Sequence, residues 1–420
     1  MKGLNSFIEE KFLPIANKLQ GNSYLISIMS GFSALLPAII VGSIFTLFVN
    51  VFTVYLPNEA LATIFQLPIN FTTNIIGLLA AYFMASALAE AEGVNQKVSG
   101  LISLIAFLIV TPMTVNEGGS FINFSWIGAS GMFTAIIVAF VSTKIYSVFI
   151  KHHITIKMPD SVPSGISNSF AAMVPLFVIA ILFSSIAYAF SLSEFGSMHQ
   201  LVYTCLQYPL SSASATLPGM LLFVFVTQLL WSFGIHGGLV VYPIMYAIIS
   251  PLDMANLAAL EAGKELPNIV TSLLYVRYGS LGGCGATFGL CIFLIFFAKS
   301  KKLKALGKLA LPAEIFEINE PIIFGTPLVL NPTLILPFII TPLINVTIAY
   351  AMMSLHVVPF LNGVQSPTGI PIIATGLFVG GWQHCILMGL LIILDFFIYY
   401  PFIKTYDKIS LKEEQEFVQD

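Results

Sequence analysis

From Pro321 to Leu394 the chain carries no Asp, Glu, Lys or Arg, and a second such stretch runs from Phe195 to Leu252. A soluble domain does not present a surface of that kind, because about a quarter of its residues are normally charged. Here 9% of 420 residues are charged and 57% are hydrophobic. The apolar runs are continuous rather than alternating, which excludes a transmembrane barrel and leaves an all-α polytopic membrane protein. A net charge of −3 gives no footing for nucleic acid, and no nucleic-acid motif is present. Cys205, Cys284, Cys291 and Cys385 lie in apolar surroundings without CxxC spacing, so neither a metal site nor a disulfide is expected, and no cofactor is implied. The first 20 residues mix both signs of charge and lack a continuous apolar core, unlike a cleavable signal peptide.

A helix needs about 20 apolar residues to cross a bilayer. On that measure spans are expected at Leu25–Val51, Asn70–Ala89, Val98–Val115, Trp126–Thr143 and Phe170–Phe190. Leu4, Phe7, Ile8, Phe12, Ile15 and Leu19 fall near helical spacing among lysines, which predicts an amphipathic helix at the membrane surface. Asn116–Phe124 reads as a polar loop, and the serine-rich Gly196–Ser214 as a segment lying flat on the outer surface. Leu217–Trp231 and Leu239–Ser250 are read as two spans separated by Gly234-Ile-His-Gly-Gly238, because only that split places the basic run Lys299–Lys308 on the same side as Lys144–Lys157. Pro267–Ala298 is then one long, tilted span, Thr333–Leu355 another and Thr375–Phe402 the last. Lys404, Lys408 and Lys412 mark a cytoplasmic C-terminus, and both termini come out inside.

Between the basic run and the long uncharged stretch stands Glu314-Ile-Phe-Glu-Ile-Asn-Glu-Pro-Ile-Ile-Phe-Gly325. Ionisable groups at membrane depth must line a cavity or find partners. Pro321 and Gly325 argue against a straight helix through this point. Leu309–Leu330 is therefore read as a re-entrant hairpin, and the Pro- and Gly-rich His356–Ile373 as a second one. The count is ten transmembrane helices, two re-entrant hairpins and amphipathic surface helices, divided into an N-terminal membrane half (1–190) and a C-terminal half (191–420).

Glu320 either caps the hairpin turn or accepts a hydrogen bond from a ligand hydroxyl. Glu314 and Glu317 lie nearer the basic run and are expected at the interface or paired with Lys. His236, flanked by glycines that admit close backbone approach, either satisfies a broken helix end or contacts a ligand. Trp231 and Trp382 stand beside the breaks, where an indole face anchors at the interface or packs on a sugar ring. Asn123, Asn362, Gln365, Gln383 and His384 offer hydrogen-bonding groups in or next to loops. Arg277, the only arginine, and Asp395 each lie within a span, lining a pathway or serving a structural pair.

Asn319-Glu320-Pro321-Ile-Ile-Phe-Gly325, Asn331-Pro332 and Trp231-Ser-Phe-Gly-Ile-His236-Gly-Gly resemble the membrane-spanning IIC subunit of bacterial phosphoenolpyruvate-dependent sugar phosphotransferase systems, in the lactose/cellobiose/diacetylchitobiose branch. The resemblance covers essentially the whole chain. It implies a sugar permease of the bacterial cell membrane, ten spans with two re-entrant hairpins, a homodimer formed by the N-terminal half, and a sugar site in the C-terminal half. It further implies that His236 and Glu320 are catalytic, holding the sugar hydroxyl that receives phosphate; Asn123, Trp231, Trp382 and Arg277, read from their own positions in loops, breaks and spans, are the further substrate-binding candidates. Phosphate would arrive from separate IIB and IIA proteins, because no stretch of this chain is long and soluble enough for either domain. Lactose members are often fused to IIB, so the absence of such a domain favours a β-linked disaccharide of the cellobiose or diacetylchitobiose type. The alternative is an ion-coupled sugar symporter using Glu320, His236 and Asp395 as a proton relay.

The orientation rests on the basic loops. A Lys302→Cys variant is expected to react with a membrane-impermeant thiol reagent from the cytoplasmic side alone; labelling from outside would mean that Gly234–Gly238 is not a turn between two spans.

Overall fold

The computed structural model describes residues 21–416, apart from 51, 53–55, 117–118, 157, 160–161, 208, 210–213, 235, 327, 329–330, 332 and 367–369. The expected amphipathic helix over Leu4–Leu19 lies outside the described residues. Among them, seven helical stretches are long and apolar enough to cross a membrane, and two further apolar helices are shorter.

The chain forms two compact units. The first takes the described residues up to 212 together with Tyr246–Met254. Its helices are α1 (Ser23–Asn50), α2 (Glu59–Asn70), α3 (Ile76–Glu92), α4 (Gln96–Val110), the short α5 (Phe124–Ile127), α6 (Met132–Lys151), α7 (Ser164–Ser191) and the short α8 (Met198–Val202). Helix α3 presents a buried stripe of Gly77, Ala80, Ala81, Ala85 and Ala89, small residues that let neighbouring backbones come close. A Cβ on Gly31 of α1 would lie 2.4 Å from Met84. Ser99 of α4 and Thr143 of α6 share a buried hydroxyl hydrogen bond of 2.9 Å. At the ends of α3 and α6, Glu92 pairs with Lys144 and with Lys151.

The expected span Val98–Val115 stops at Val110, and the polar loop after it is a β-hairpin. Strands β1 (Met113–Asn116) and β2 (Gly119–Ile122) pair antiparallel, Met113 opposite Ile122 and Asn116 opposite Gly119. Thr114, Val115, Phe121 and Ile122 suit a strand better than a helix, and Gly119 takes a φ of +128° beside the turn.

The second unit takes residues 213–245 and 255 onward. Helix α9 (Leu217–Ser232) ends and α10 (Gly237–Glu261) begins at the glycine-flanked break read from the sequence. Helix α10 runs well past the Ser250 expected as its end. It carries Asn256 to a buried position where the amide donates to Asn268 O and Leu361 O, both at 2.7 Å.

The single tilted span expected over Pro267–Ala298 is not formed. The short α11 (Ser272–Leu274) passes into a π-helical turn at Tyr275–Gly279. Turns follow to Thr287, and α12 (Phe288–Phe296) resumes. Glycine makes the break: Gly282, Gly283 and Gly285 adopt φ of +80°, +89° and +81°. Cβ atoms there would lie 2.5 Å from Phe288, 2.3 Å from Asn319 and 2.1 Å from Phe338. Tyr399 seals the break from outside by donating its hydroxyl to Gly285 O at 2.6 Å.

The polar interruption also breaks. Helix α13 (Lys301–Glu314) gives way to a turn, the short α14 (Glu320–Gly325) follows, and α15 (Ile335–Ser354) starts beyond a second irregular stretch. Residues 359–366 form neither helix nor strand, and further on α16 (Thr375–Val379) and α17 (Trp382–Glu416) are separated at Gly380-Gly381, inside the last expected span. Trp231, Leu290, Phe293, Ile322, Phe338 and Tyr399 belong to the apolar core of this unit.

The basic run opens α13, whose free N–H groups attract carboxylates. Asp407 accepts from Lys299 N and Ser300 N, and Glu414 accepts from Lys301 N and Lys302 N. These acids are spent on backbone, which leaves Lys299, Lys301, Lys302, Lys304 and Lys308 as an exposed cationic face.

Glycine packing can be tested directly. Gly289 faces α17, where a Cβ would lie 2.3 Å from Phe396 N, whereas Gly389 of α17 has nothing within 4 Å. Gly289→Val is expected to destabilise the protein by about 1–3 kcal/mol, while Gly389→Ala is neutral or stabilising by up to about 1 kcal/mol. Melting temperatures in detergent check both signs; equal effects would contradict the packing described.

Candidate functional site

Two helix breaks in the second unit carry the polar residues picked out in the sequence. At the first, His236 is the N-cap of α10, and its Nδ1 accepts from the Leu239 N–H at 3.2 Å. A nitrogen that accepts is unprotonated, so the neutral ring carries its proton on Nε2 and offers it as a donor. Trp231, buried at the end of α9, lies against the imidazole with ring centroids 4.4 Å apart. The turn is tight because a Cβ on Gly237 would meet Thr227 O at 2.2 Å. On Gly238 it would meet both His236 and Tyr242 at 3.2 Å.

At the second break, Glu320 opens α14 and is exposed, while its neighbour Asn319 is buried. The Glu320 carboxylate lies within electrostatic reach of His236 and of the Cys284 thiol. Phe324, on the same short helix, brings its ring to 6.5 Å from Trp231. The two breaks therefore converge on one place.

Three polar ties hold the second break against the glycine-rich turn at 280–287. Asn319 donates both amide hydrogens, to Cys284 O at 2.6 Å and to Thr287 Oγ1 at 2.7 Å. Thr287 in turn donates to Glu314 Oε1 at 2.6 Å. Arg277 Nη1 donates to Glu317 Oε2 at 3.0 Å, holding Glu317 at a φ of +65°. Glu314 and Glu317 are thus turned inward, the first fully buried beside Thr287 and the second paired with Arg277. Among the described residues neither forms the expected pair with Lys. Their nearest basic residues in sequence lie on the outward face of α13, so proximity along the chain misleads.

The remaining positions are placed elsewhere. Asn123 belongs to the first unit, where its side chain accepts from Ser125 N at 2.8 Å and caps α5. Trp382 stands exposed at the start of α17, and among the described residues no hydrogen bond or ring contact joins it to His236 or Glu320. His384 is buried: Nε2 faces Pro359 O at 3.1 Å and Nδ1 faces the Tyr278 hydroxyl at 2.6 Å. A carbonyl can only accept, so Nε2 carries the proton and Tyr278 donates to Nδ1. Asn362 donates to Phe378 O at 2.8 Å and braces the irregular segment at 359–366. Asp395 is buried in α17 and accepts from Asn345 Nδ2 at 3.1 Å. Cys284 and Thr287 have no role in the sequence reading, and Asn319 enters it only within the motif around Glu320; the density of glycine at 279–289, inside an expected span, is the signal that marks the first two.

Residues 29–342 match the family model described as Phosphotransferase system, EIIC. The chain belongs to the EIIC family. It is 38% identical to the lichenan permease IIC component of Bacillus subtilis (strain 168), over 99% of this chain and 96% of that protein. It is 35% identical to the cellobiose-specific EIIC component of Geobacillus stearothermophilus, over 97% and 95%. The crystal structure of ChbC, the IIC component of an N,N'-diacetylchitobiose-specific phosphotransferase system, superposes with a TM-score of 0.91 at 33% identity, covering 97% of this chain and 99% of that one. As an EIIC component the chain is a multi-pass membrane permease of a sugar phosphotransferase system, and such components work with IIB and IIA phosphotransfer proteins.

The Arg277–Glu317 pair is largely shielded, with side-chain exposures of 9% and 23%. Removing one partner of such a pair strands the other. Arg277→Met is expected to lower stability by about 3 kcal/mol, and Arg277→Met/Glu317→Gln to recover most of that loss. Thermal unfolding in detergent decides; a double variant as unstable as the single one would show that the ion pair is not what holds the turn.

Proposed function

We propose that the chain carries a β-linked disaccharide of the cellobiose or diacetylchitobiose type inward across the bacterial cell membrane and presents it to a phosphorylated IIB protein on a separate chain. The observation that carries this reading is the convergence of His236 and Glu320 from two helix breaks, beside the Trp231 indole, in an EIIC chain. The relatives named for lichenan, cellobiose and diacetylchitobiose support the substrate class.

In this reading the Trp231–Phe324 aromatic pair takes the apolar face of a sugar ring. His236 Nε2–H donates to the acceptor hydroxyl oxygen, and Glu320 accepts that hydroxyl's proton. The hydroxyl oxygen then attacks phosphorus on phosphorylated IIB: the O–P bond forms, the bond from phosphorus to its IIB carrier residue breaks, that residue leaves with the bonding electron pair, and the hydroxyl proton passes to the Glu320 carboxylate. Phosphoryl transfer goes through a loose transition state, so a weak base suffices and positioning supplies most of the rate. Arg277 and Trp382 are the further sugar contacts proposed for the loaded state. The two broken segments, 309–330 and 356–373, are the re-entrant hairpins of a ten-span topology with both termini in the cytoplasm. The N-terminal half forms the homodimer.

Glu320→Gln keeps an acceptor but has nowhere to put the proton. It is expected to insert normally and to lose most phosphorylation of labelled disaccharide by phosphoenolpyruvate and the soluble proteins. His236→Gln keeps a hydrogen-bonding group that does not titrate. It is expected to retain phosphorylation reduced by roughly ten- to a hundred-fold, the worth of about 1–3 kcal/mol of hydrogen-bond geometry. Accumulation of unphosphorylated sugar that collapses with an uncoupler would instead establish the symporter.

A further inference from the structure

Asn319 is buried one residue before the proposed catalytic carboxylate, and every hydrogen of its amide is committed away from the sugar. Its backbone and side chain serve different parts of the fold. The backbone carbonyl accepts from Ile322 N at 2.9 Å and Ile323 N at 3.0 Å, so it caps the short helix that Glu320 opens. The side-chain amide grips the glycine break at Cys284 O and Thr287 Oγ1. The break is shaped to receive it: a Cβ on Gly283 would lie 2.3 Å from Asn319 Cγ and 2.5 Å from Oδ1.

What the amide grips leads back to the other half of the site. Cys284 packs against the apolar core that contains Trp231. Trp231 lies against His236, and Tyr242 and His236 both border Gly238. Thr287 continues the chain of donors to Glu314, at the end of α13. The amide nitrogen can only donate, so Thr287 accepts from Asn319, and its own hydroxyl proton is shared between Glu314 Oε1 at 2.6 Å and Gly282 O at 3.0 Å. Asn319 thus joins the helix bearing Glu320 to Cys284, which packs against the core holding Trp231.

We propose that Asn319 is a positioning residue for phosphoryl transfer: through Cys284 and Thr287 it fixes how far Glu320 stands from His236. This rests on the reading that Glu320 and His236 hold the acceptor hydroxyl. Sugar binding draws on aromatic faces that Asn319 does not touch, whereas transfer requires the hydroxyl to be held within a fraction of an ångström of its productive place. Loss of the amide should therefore affect turnover more than affinity.

The experiment uses the full-length protein in vesicles, with phosphoenolpyruvate, the soluble phosphotransfer proteins and whichever of cellobiose, diacetylchitobiose and lactose the parent phosphorylates fastest. Sugar affinity and phosphorylation at saturating sugar are measured separately for the parent, Asn319→Ala, Thr287→Val, Thr287→Ser and Glu320→Gln. Asn319→Ala is expected to lower turnover by roughly ten- to a hundred-fold, equivalent to the loss of one or two buried hydrogen bonds, with affinity within about threefold of the parent. Thr287→Val is expected to show a smaller loss of the same kind. Thr287→Ser, which keeps the hydroxyl, restores turnover, and this pair carries the test if Asn319→Ala does not insert. Parental turnover in Asn319→Ala and Thr287→Val, or a loss confined to affinity, overturns the inference, as does Thr287→Ser behaving like Thr287→Val. Inactive Glu320→Gln beside fully active Asn319→Ala would refute the positioning role alone; active Glu320→Gln would bring down the site reading and this inference with it.

Discussion

A membrane protein that breaks its helices must satisfy the freed backbone groups from its own side chains, because the hydrocarbon layer offers them no partners. In the second unit that task falls on the amide of Asn319, which pairs Cys284 O and leads through Thr287 to Glu314. The arrangement requires glycine at 282, 283 and 285, since each occupies positive φ and each lies against a neighbour that a Cβ would strike. Remove the amide, and the broken segment at 280–287 loses its hold on the helix that begins at Glu320. The chemistry proposed for this protein thus depends on a hydrogen bond that touches no substrate.

The two breaks that carry His236 and Glu320 are legible in the sequence because polar residues and glycines interrupt long apolar runs, and such interruptions stand out against a chain with few charges. The break at 280–287 is not legible in the same way. Its residues are apolar or small, Pro267–Ala298 is long enough to cross as one helix, and glycine within a span is common enough to pass without notice. Only the clustering of Gly279, Gly282, Gly283, Gly285 and Gly289 distinguishes it. The partners of the acids were equally hidden: Glu317 reaches Arg277, distant in sequence, while the lysines just before it point away. Pairing in a folded membrane protein follows the geometry of the breaks, which charge spacing along a chain does not encode.

Acidic residues in the second unit divide into two physical roles. Asp407 and Glu414 cap the backbone at the start of α13, and so leave the adjacent lysines exposed on one face. Glu314 and Glu317 are drawn inward to brace the turn beyond the same helix. Helix α13 is therefore held at both ends by carboxylate hydrogen bonds, and Glu320 follows as the one acid of this segment left exposed and close to the imidazole of His236. That contrast, more than the motif alone, supports the role proposed for Glu320.

The central claim is that Glu320 and His236 together hold one sugar hydroxyl. The most direct measurement is a structure of this protein with a bound disaccharide, at a resolution that places individual hydroxyl oxygens. One hydroxyl oxygen is expected within hydrogen-bonding distance, about 2.6–3.2 Å, of both Glu320 and His236 Nε2, with a ring face against Trp231. A sugar seated away from both residues, or held by hydroxyls that approach only one of them, would contradict that claim.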